Sequence, residues 1–245
     1  FMKKNKKSYI LTGSEGSVGK TISKHYKSKK INILGLDAIS QGKSFSFQKS
    51  MKINLTSEAQ VKHFFDGLEK RKIYPEVLIN CAGYFNNFPI ISYDKGKLKA
   101  HSFKNFDKII KSNLYTAFLM SVHYANLIIS NKKKGLIINF SSVSSNSNIG
   151  QIAYSIAKSS IETLNKSIVK EVGAYGVRSV CISPGFFDTN STSKILKNKK
   201  IKEIIKNIPV KRLGNEKEIL NSLDYIIKNE YLNGCTLNLD GGINI

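Results

Sequence analysis

Tyr154 and Lys158, in the stretch Tyr154-Ser-Ile-Ala-Lys158, are the residues of this chain best suited to chemistry. At i and i+4 on a helix they share one face, a turn apart. A free tyrosine has a pKa of about 10 and is a poor acid or base near neutrality. A neighbouring ammonium favours the phenolate and brings it toward working pH, so the pair is a proton-transfer device. Alone, the pentapeptide would read as a surface tyrosine beside a solvated lysine. Its position reverses that reading: Tyr154 follows Ser142 by twelve residues, precedes Pro184-Gly185 by thirty, and lies downstream of a glycine-rich turn.

That turn is Thr12-Gly-Ser-Glu-Gly-Ser-Val-Gly19. Between a strand and a helix, the backbone N–H groups of Gly13, Ser14, Ser17, Val18 and Gly19 would receive a pyrophosphate. Gly13 and Gly19 would supply the tight turn and the close helix–sheet approach. Gly19-Lys20-Thr21 also looks like the end of a P-loop, but that motif needs glycine at position 14, where Ser14 stands. A later apolar strand ending in Asp, which would hold Mg²⁺, is missing as well. Asp37 lies eighteen residues after Gly19, at the end of the second strand, where a carboxylate accepts hydrogen bonds from ribose hydroxyls and repels a 2′-phosphate. The residues therefore favour NAD over NADP.

The elements that must position these groups alternate. Strands are expected at Ser8–Thr12, Ile31–Leu36, near Met51–Ile53, and at Val77–Asn80, Gly135–Phe140, Val177–Ile182 and Thr236–Leu239. Helices are expected at Val18–Lys27, from Ser57 to Arg71, at Lys104–Ser130 with a break near Ser112, and at Ile152–Ala174. Strands apolar on both faces and separated by helices imply an α/β fold: a doubly wound parallel sheet of about seven strands with helices on both faces.

With 245 residues and 41% hydrophobic content, the chain can bury one substantial core, and a single domain over 8–245 is expected. Residues 1–7 carry charge without the apolar segment of a signal peptide, and Phe1 ahead of Met2 reads as an addition from expression. No apolar stretch approaches the roughly 20 residues of a membrane span, so a cytoplasmic protein with no membrane partner is expected. Cys81, Cys181 and Cys235 are odd in number and widely spaced, fitting neither a disulfide framework nor a metal site. The net charge of +22 raises nucleic acid as a partner. Codon bias fits better, because lysine is spread along the chain and no aromatic RNA-binding motif, zinc finger or concentrated basic helix accompanies it.

Taken in order, the glycine turn, Asp37, Asn80-Cys-Ala-Gly83, Asn113 in Lys111-Ser-Asn-Leu-Tyr115, Ser141-Ser-Val143, Tyr154 to Lys158, Ser183-Pro-Gly-Phe-Phe-Asp-Thr189 and Asn238-Leu-Asp-Gly-Gly242 resemble the short-chain dehydrogenase/reductase family. The match covers nearly the whole chain. The resemblance implies that Ser142 polarises the substrate oxygen, that Tyr154 is the general acid or base, and that Lys158 lowers the tyrosine pKa and holds the nicotinamide ribose. Asn113 would fix a water linking Lys158 to solvent. It further implies cofactor contacts from Asn54 and Leu55 beside the adenine, from Asn80, Ala82 and Gly83, and from Pro184, Gly185, Phe187 and Thr189 around the nicotinamide.

Ser17 stands where the family's middle glycine falls, Asn54 where Asp is usual, and Tyr93-Asp-Lys-Gly-Lys97 reads as an extra loop near the substrate entrance. The implied activity is NAD-dependent interconversion of a secondary alcohol and a carbonyl. The lysine-rich segment 194–212 falls where the family carries a substrate lid, which opens the choice to anionic substrates. The alternatives are an NADPH-dependent 3-oxoacyl-carrier-protein reductase, a sugar or nucleotide-sugar dehydrogenase, an idle dinucleotide binder and a basic RNA-binding protein. A homo-oligomer, dimer or tetramer, through the two long helices is implied as well.

Overall fold

The computed structural model describes residues 7–40, 42, 46, 47, 49–189 and 198–243. The strands are β1 (Ser8–Thr12), β2 (Asn32–Asp37), β3 (Met51–Lys52), β4 (Val77–Asn80), β7 (Gly135–Phe140), β8 (Val177–Pro184) and β9 (Thr236–Leu239), with β5 (Ile91–Asp94) and β6 (Lys97–Ala100) forming a separate pair. The seven form one parallel sheet in the order β3-β2-β1-β4-β7-β8-β9. Every residue of β1, β4 and β7 is buried, as a sheet covered on both faces requires.

The helices are α1 (Ser17–Ser28), α2 (Glu58–Lys70), α3 (Phe103–Ile110), α4 (Thr116–Ser130), α5 (Ile152–Val172), α6 (Asn198–Asn207) and α7 (Glu216–Lys228). The period-2 alternation of the strands sorts the core into two layers. Tyr9, Leu11 and Ile79 meet Ile22 and Tyr26 of α1 and Leu223 and Ile226 of α7. Ile10, Leu78 and Ile137 meet Phe64 and Leu68 of α2 and Met120 and Tyr124 of α4. Each such side chain contributes about 1.5–3 kcal/mol through its removal from water. Among the described residues no helix is long and apolar enough to cross a membrane.

Two expectations are corrected, and one further helix is added. The extra loop at Tyr93–Lys97 is an antiparallel hairpin, with Tyr93 opposite Leu98 and Asp94 opposite Lys97. Lys95 and Gly96 turn it with φ of 48° and 80°, the paired positive values that match the twist of a two-residue hairpin. The long helix does not break near Ser112; α3 runs into α4 through one wide, π-helical turn over Lys111–Tyr115. Helix α7 was not anticipated, although Asn215 and Glu218 make a reciprocal capping box at its start. Of the expected lid, 194–197 lies outside the described residues, as do residues 1–6, and α6 occupies most of the remainder.

Candidate active site

The chain reverses direction across the sheet at β1, whose neighbours are β2 and β4. A cavity of about 740 Å³ opens at the carboxyl ends of these strands. Such switch points are where open α/β sheets bind ligands, because the loops on either side diverge and leave a crevice.

The glycine turn forms one end of the cavity. A Cβ at Gly13 would stand 2.8 Å from Ala82 Cα, and one at Gly19 would stand 2.1 Å from Gly13 O, so neither position has room for a side chain. Gly13 also has a φ of 69°, which a glycine adopts without strain. Gly16 caps α1, no side chain caps its first N–H groups, and its first turn carries no acidic residue. This leaves the positive end of the helix dipole toward the cavity. Ser17, at the helix start, donates its hydroxyl to Glu216 (3.2 Å), and Thr21 donates to the same carboxylate (2.5 Å), tying α1 to α7.

Asp37 lines the cavity at the end of β2. Its carboxylate accepts from the N–H of Glu15 (2.9 Å) and of Ile39 (3.1 Å), which fixes its orientation between the glycine turn and the following loop. Asn54 and Leu55 line the same end, with Asn54 Oδ1 accepting from the Thr56 N–H and hydroxyl.

At the other end, Tyr154 and Lys158 project from one face of α5. The Lys158 side chain is buried, and its Nζ donates to Phe140 O at the end of β7 (2.7 Å). An ammonium has three N–H donors, so two remain for the cavity. Nζ lies 5.5 Å from the centre of the Tyr154 ring. Asn113 is fully buried in the π-helical turn, where its Nδ2 donates to Tyr84 O (2.8 Å) and Ile109 O (2.9 Å). Among the described residues its Oδ1 has no partner, and a Cβ at Gly83 would stand 2.6 Å from that oxygen and 3.7 Å from Lys158 Nζ. Gly83 therefore keeps open the space in which Asn113 and Lys158 approach each other.

Two adjacent serines end β7. Ser141 Oγ is engaged by Glu162 Oε1 (2.7 Å) and Lys158 O (3.1 Å), so its hydroxyl is used in holding α5. Ser142 caps the short turn Val143–Asn146, and its Oγ accepts from Ser144 N–H (3.2 Å) while its own proton stays available. Ser142 stands just outside the residues that line the cavity.

Gly13, Ser17, Val18, Gly19, Asp37, Asn54, Leu55, Ala82, Gly83, Asn113, Tyr154, Lys158, Pro184, Gly185, Phe187 and Thr189 are brought together in the lining. Ser14 and Asn80 are not. The Ser14 hydroxyl turns away to Ser50 (2.9 Å). Asn80 is buried within the sheet, donating to Asn139 Oδ1 (2.9 Å) and Ser121 Oγ (3.1 Å), so its side chain braces β4 against β7 and α4. Conversely, Ala38, Cys81, Tyr84, Phe85 and Phe186 line the cavity without having been expected there. Tyr84 and Phe85 follow directly on Asn80-Cys-Ala-Gly83, a signal that could have found them. Burial pushes the Cys81 thiol up to about 12, which leaves it without thiolate character at neutral pH.

The model of the family described as enoyl-(acyl carrier protein) reductase matches residues 14–244. The chain belongs to the short-chain dehydrogenase/reductase family. It is an oxidoreductase that acts on CH–OH groups. A 3-oxoacyl-[acyl-carrier-protein] reductase of Buchnera aphidicola subsp. Acyrthosiphon pisum is 28% identical over 98% of each chain. The human (3R)-3-hydroxyacyl-CoA dehydrogenase is 30% identical over 69% of this chain and 62% of that protein. A short-chain dehydrogenase of Leptospira borgpetersenii solved with bound NAD+ superposes with a TM-score of 0.85 at 26% identity, covering 98% of this chain and 94% of that one.

Proposed function

We propose that the protein is a cytoplasmic NAD(H)-dependent oxidoreductase that interconverts a secondary alcohol and a carbonyl, with Tyr154 handling the proton. The observation that carries this reading is the buried Lys158 ammonium one helical turn from Tyr154, in a cavity that continues to the glycine turn and Asp37. The residues fit a dinucleotide: an uncapped helix start for the pyrophosphate, two glycines with no space for a side chain, and an oriented carboxylate for ribose hydroxyls. A nicotinamide dinucleotide held by the glycine turn and Asp37 would supply the hydride chemistry.

The chain's own groups do the rest. Charge left on the substrate oxygen needs a proton and a hydrogen bond in a largely dry site. Tyr154 exchanges the proton, and the Ser142 hydroxyl supplies the hydrogen bond. Lys158, held by Phe140 O, places its ammonium 5.5 Å from the centre of the Tyr154 ring and offers its remaining donors to the nicotinamide ribose. The unpartnered Asn113 Oδ1 is placed to hold a water beside Lys158, so that the proton reaches solvent. The 3-oxoacyl-carrier-protein reductase reading with NADPH is the second possibility, favoured by the Buchnera relative of nearly equal length. Asp37 argues against it, since its carboxylate would face a 2′-phosphate.

Titration with NADH and NADPH, followed by nicotinamide fluorescence, tests the choice. NADH is expected to bind at least about tenfold more tightly, a difference of about 1.4 kcal/mol. A preference for NADPH would overturn the role given to Asp37 and move the reductase reading ahead. The chain is also proposed to form a homo-oligomer through α4 and α5, where Phe118, Val122 and Ile156 are exposed.

A further inference from the structure

Phe85 is an aromatic residue left 37% exposed in the wall of the cavity. Its ring centre lies 5.1 Å from that of Tyr154 with the planes at 84°, an edge-to-face contact. That geometry sets the positive edge of one ring against the negative face of the other and favours a single relative orientation.

The backbone that carries Phe85 is clamped on both sides. Before it, Asn113 Nδ2 donates to Tyr84 O (2.8 Å), and the Lys108 ammonium lies 4.3 Å from the centre of the Tyr84 ring. After it, His101 Nδ1 donates to Phe88 O (2.8 Å) and the His101 N–H donates to Ile90 O (2.8 Å), at the root of the β5–β6 hairpin. Between these anchors the Asn87 side chain lies against Gly150, where a Cβ would stand 2.7 Å from Asn87 Oδ1. The hairpin thus serves as the far anchor of the segment that presents Phe85, and it holds that ring at a fixed distance from Tyr154.

We infer that Phe85 is the specificity-determining residue of the reaction centre: it orients the Tyr154 ring and walls the adjoining space with an aromatic surface. The substrate consequently carries an alkyl, acyl or aryl group at the reacting carbon rather than a polyhydroxylated chain. Tyr84 and Phe186 extend the same aromatic lining. A hydroxyl pressed against such a wall gives up water without gaining a partner, whereas an apolar group gains from the same desolvation. This rests on the proton-transfer role given to Tyr154 above.

The test compares the wild type with Phe85→Ala and Phe85→Leu, using 2-butanone, 2-octanone, acetophenone and fructose as probes with whichever of NADH and NADPH binds. The wild type should reduce the apolar ketones with a kcat/KM at least about tenfold above fructose. Opening the wall with Phe85→Ala should raise the acetophenone to 2-butanone ratio by about tenfold, and lower kcat for 2-butanone because Tyr154 loses its packing partner. Phe85→Leu, which fills most of the space, should fall between the two. Cofactor affinity should stay within about twofold in both variants, since Phe85 acts on the substrate side.

An unchanged ratio, a preference for fructose, or a wild type that binds cofactor yet reduces none of the apolar ketones would overturn the inference. So would a tenfold loss of cofactor affinity in Phe85→Ala. A wild type that binds neither dinucleotide would instead sink the oxidoreductase mechanism on which the inference rests.

Discussion

Tyr154→Phe removes one oxygen and leaves the rest of the site in place, because the ring still meets Phe85 and the face above Lys158. Cofactor affinity and unfolding temperature should be unchanged, while kcat should fall by about 10²-fold or more, the scale of a lost general acid or base. Steady-state kinetics and a thermal melt together check this, and full activity in the variant would remove Tyr154 from the mechanism. The neighbouring serines show how local geometry separates residues that are chemically alike. Ser141 is committed to Glu162, and Ser142 keeps a free proton.

At the scale of elements, the site depends on how α7 is started and where it is held. Asn215 and Glu218 close a capping box, and Arg212 reaches the Glu218 carboxylate with both terminal guanidinium nitrogens (2.6 and 2.9 Å). The Arg212 hydrogen bonds, then the Asn215 N–H, pull the Glu218 carboxyl down to about 2. A folded-state value below the ordinary one stabilises the protein above the unfolded-state pKa and loses that contribution as pH falls toward about 2. The pair is largely exposed to solvent, so Glu218→Gln should cost no more than about 1 kcal/mol at pH 7. Urea unfolding of both proteins from pH 7 to pH 3 should show the gap narrowing below about pH 4.5. A gap independent of pH would mean that the charge of Glu218 contributes nothing to the cap.

The whole molecule carries +22 charges on 245 residues and still exposes an apolar stripe on α4. Phe118 and Val122 are spaced i and i+4, so they share a face, and Ile156 on α5 is exposed as well. Light scattering on a sizing column should give a mass of at least twice the 27.4 kDa chain. Val122→Lys should shift it toward one copy, since it places a charge in the proposed contact. A wild type that runs as a single copy would refute assembly through this face.

Local pattern was enough to read most of the sheet. β1, β4, β7 and β9 fall at the expected residues; the first three are buried along their whole length, which demands a mostly apolar run, whereas β9 is an edge strand left partly exposed. Tyr154 and Lys158 could be paired for a similar reason, as both sit within a single helical turn. The hairpin escaped because its turn, Lys95-Gly96, carries a positive-φ lysine instead of the usual Asn or Asp. Helix α7 was legible in its cap and in the helical spacing of Ile219, Leu223 and Ile226, and was overlooked. What the tertiary structure alone decided is which side chains face the cavity. Asn80 turns into the sheet, Ser14 turns to Ser50, and Phe85 turns to Tyr154, 69 residues away in the chain. Periodicity reports only which face of its own element a residue occupies. The partner on that face comes from the order in which strands and helices pack, and contacts between distant segments leave no pattern in local sequence.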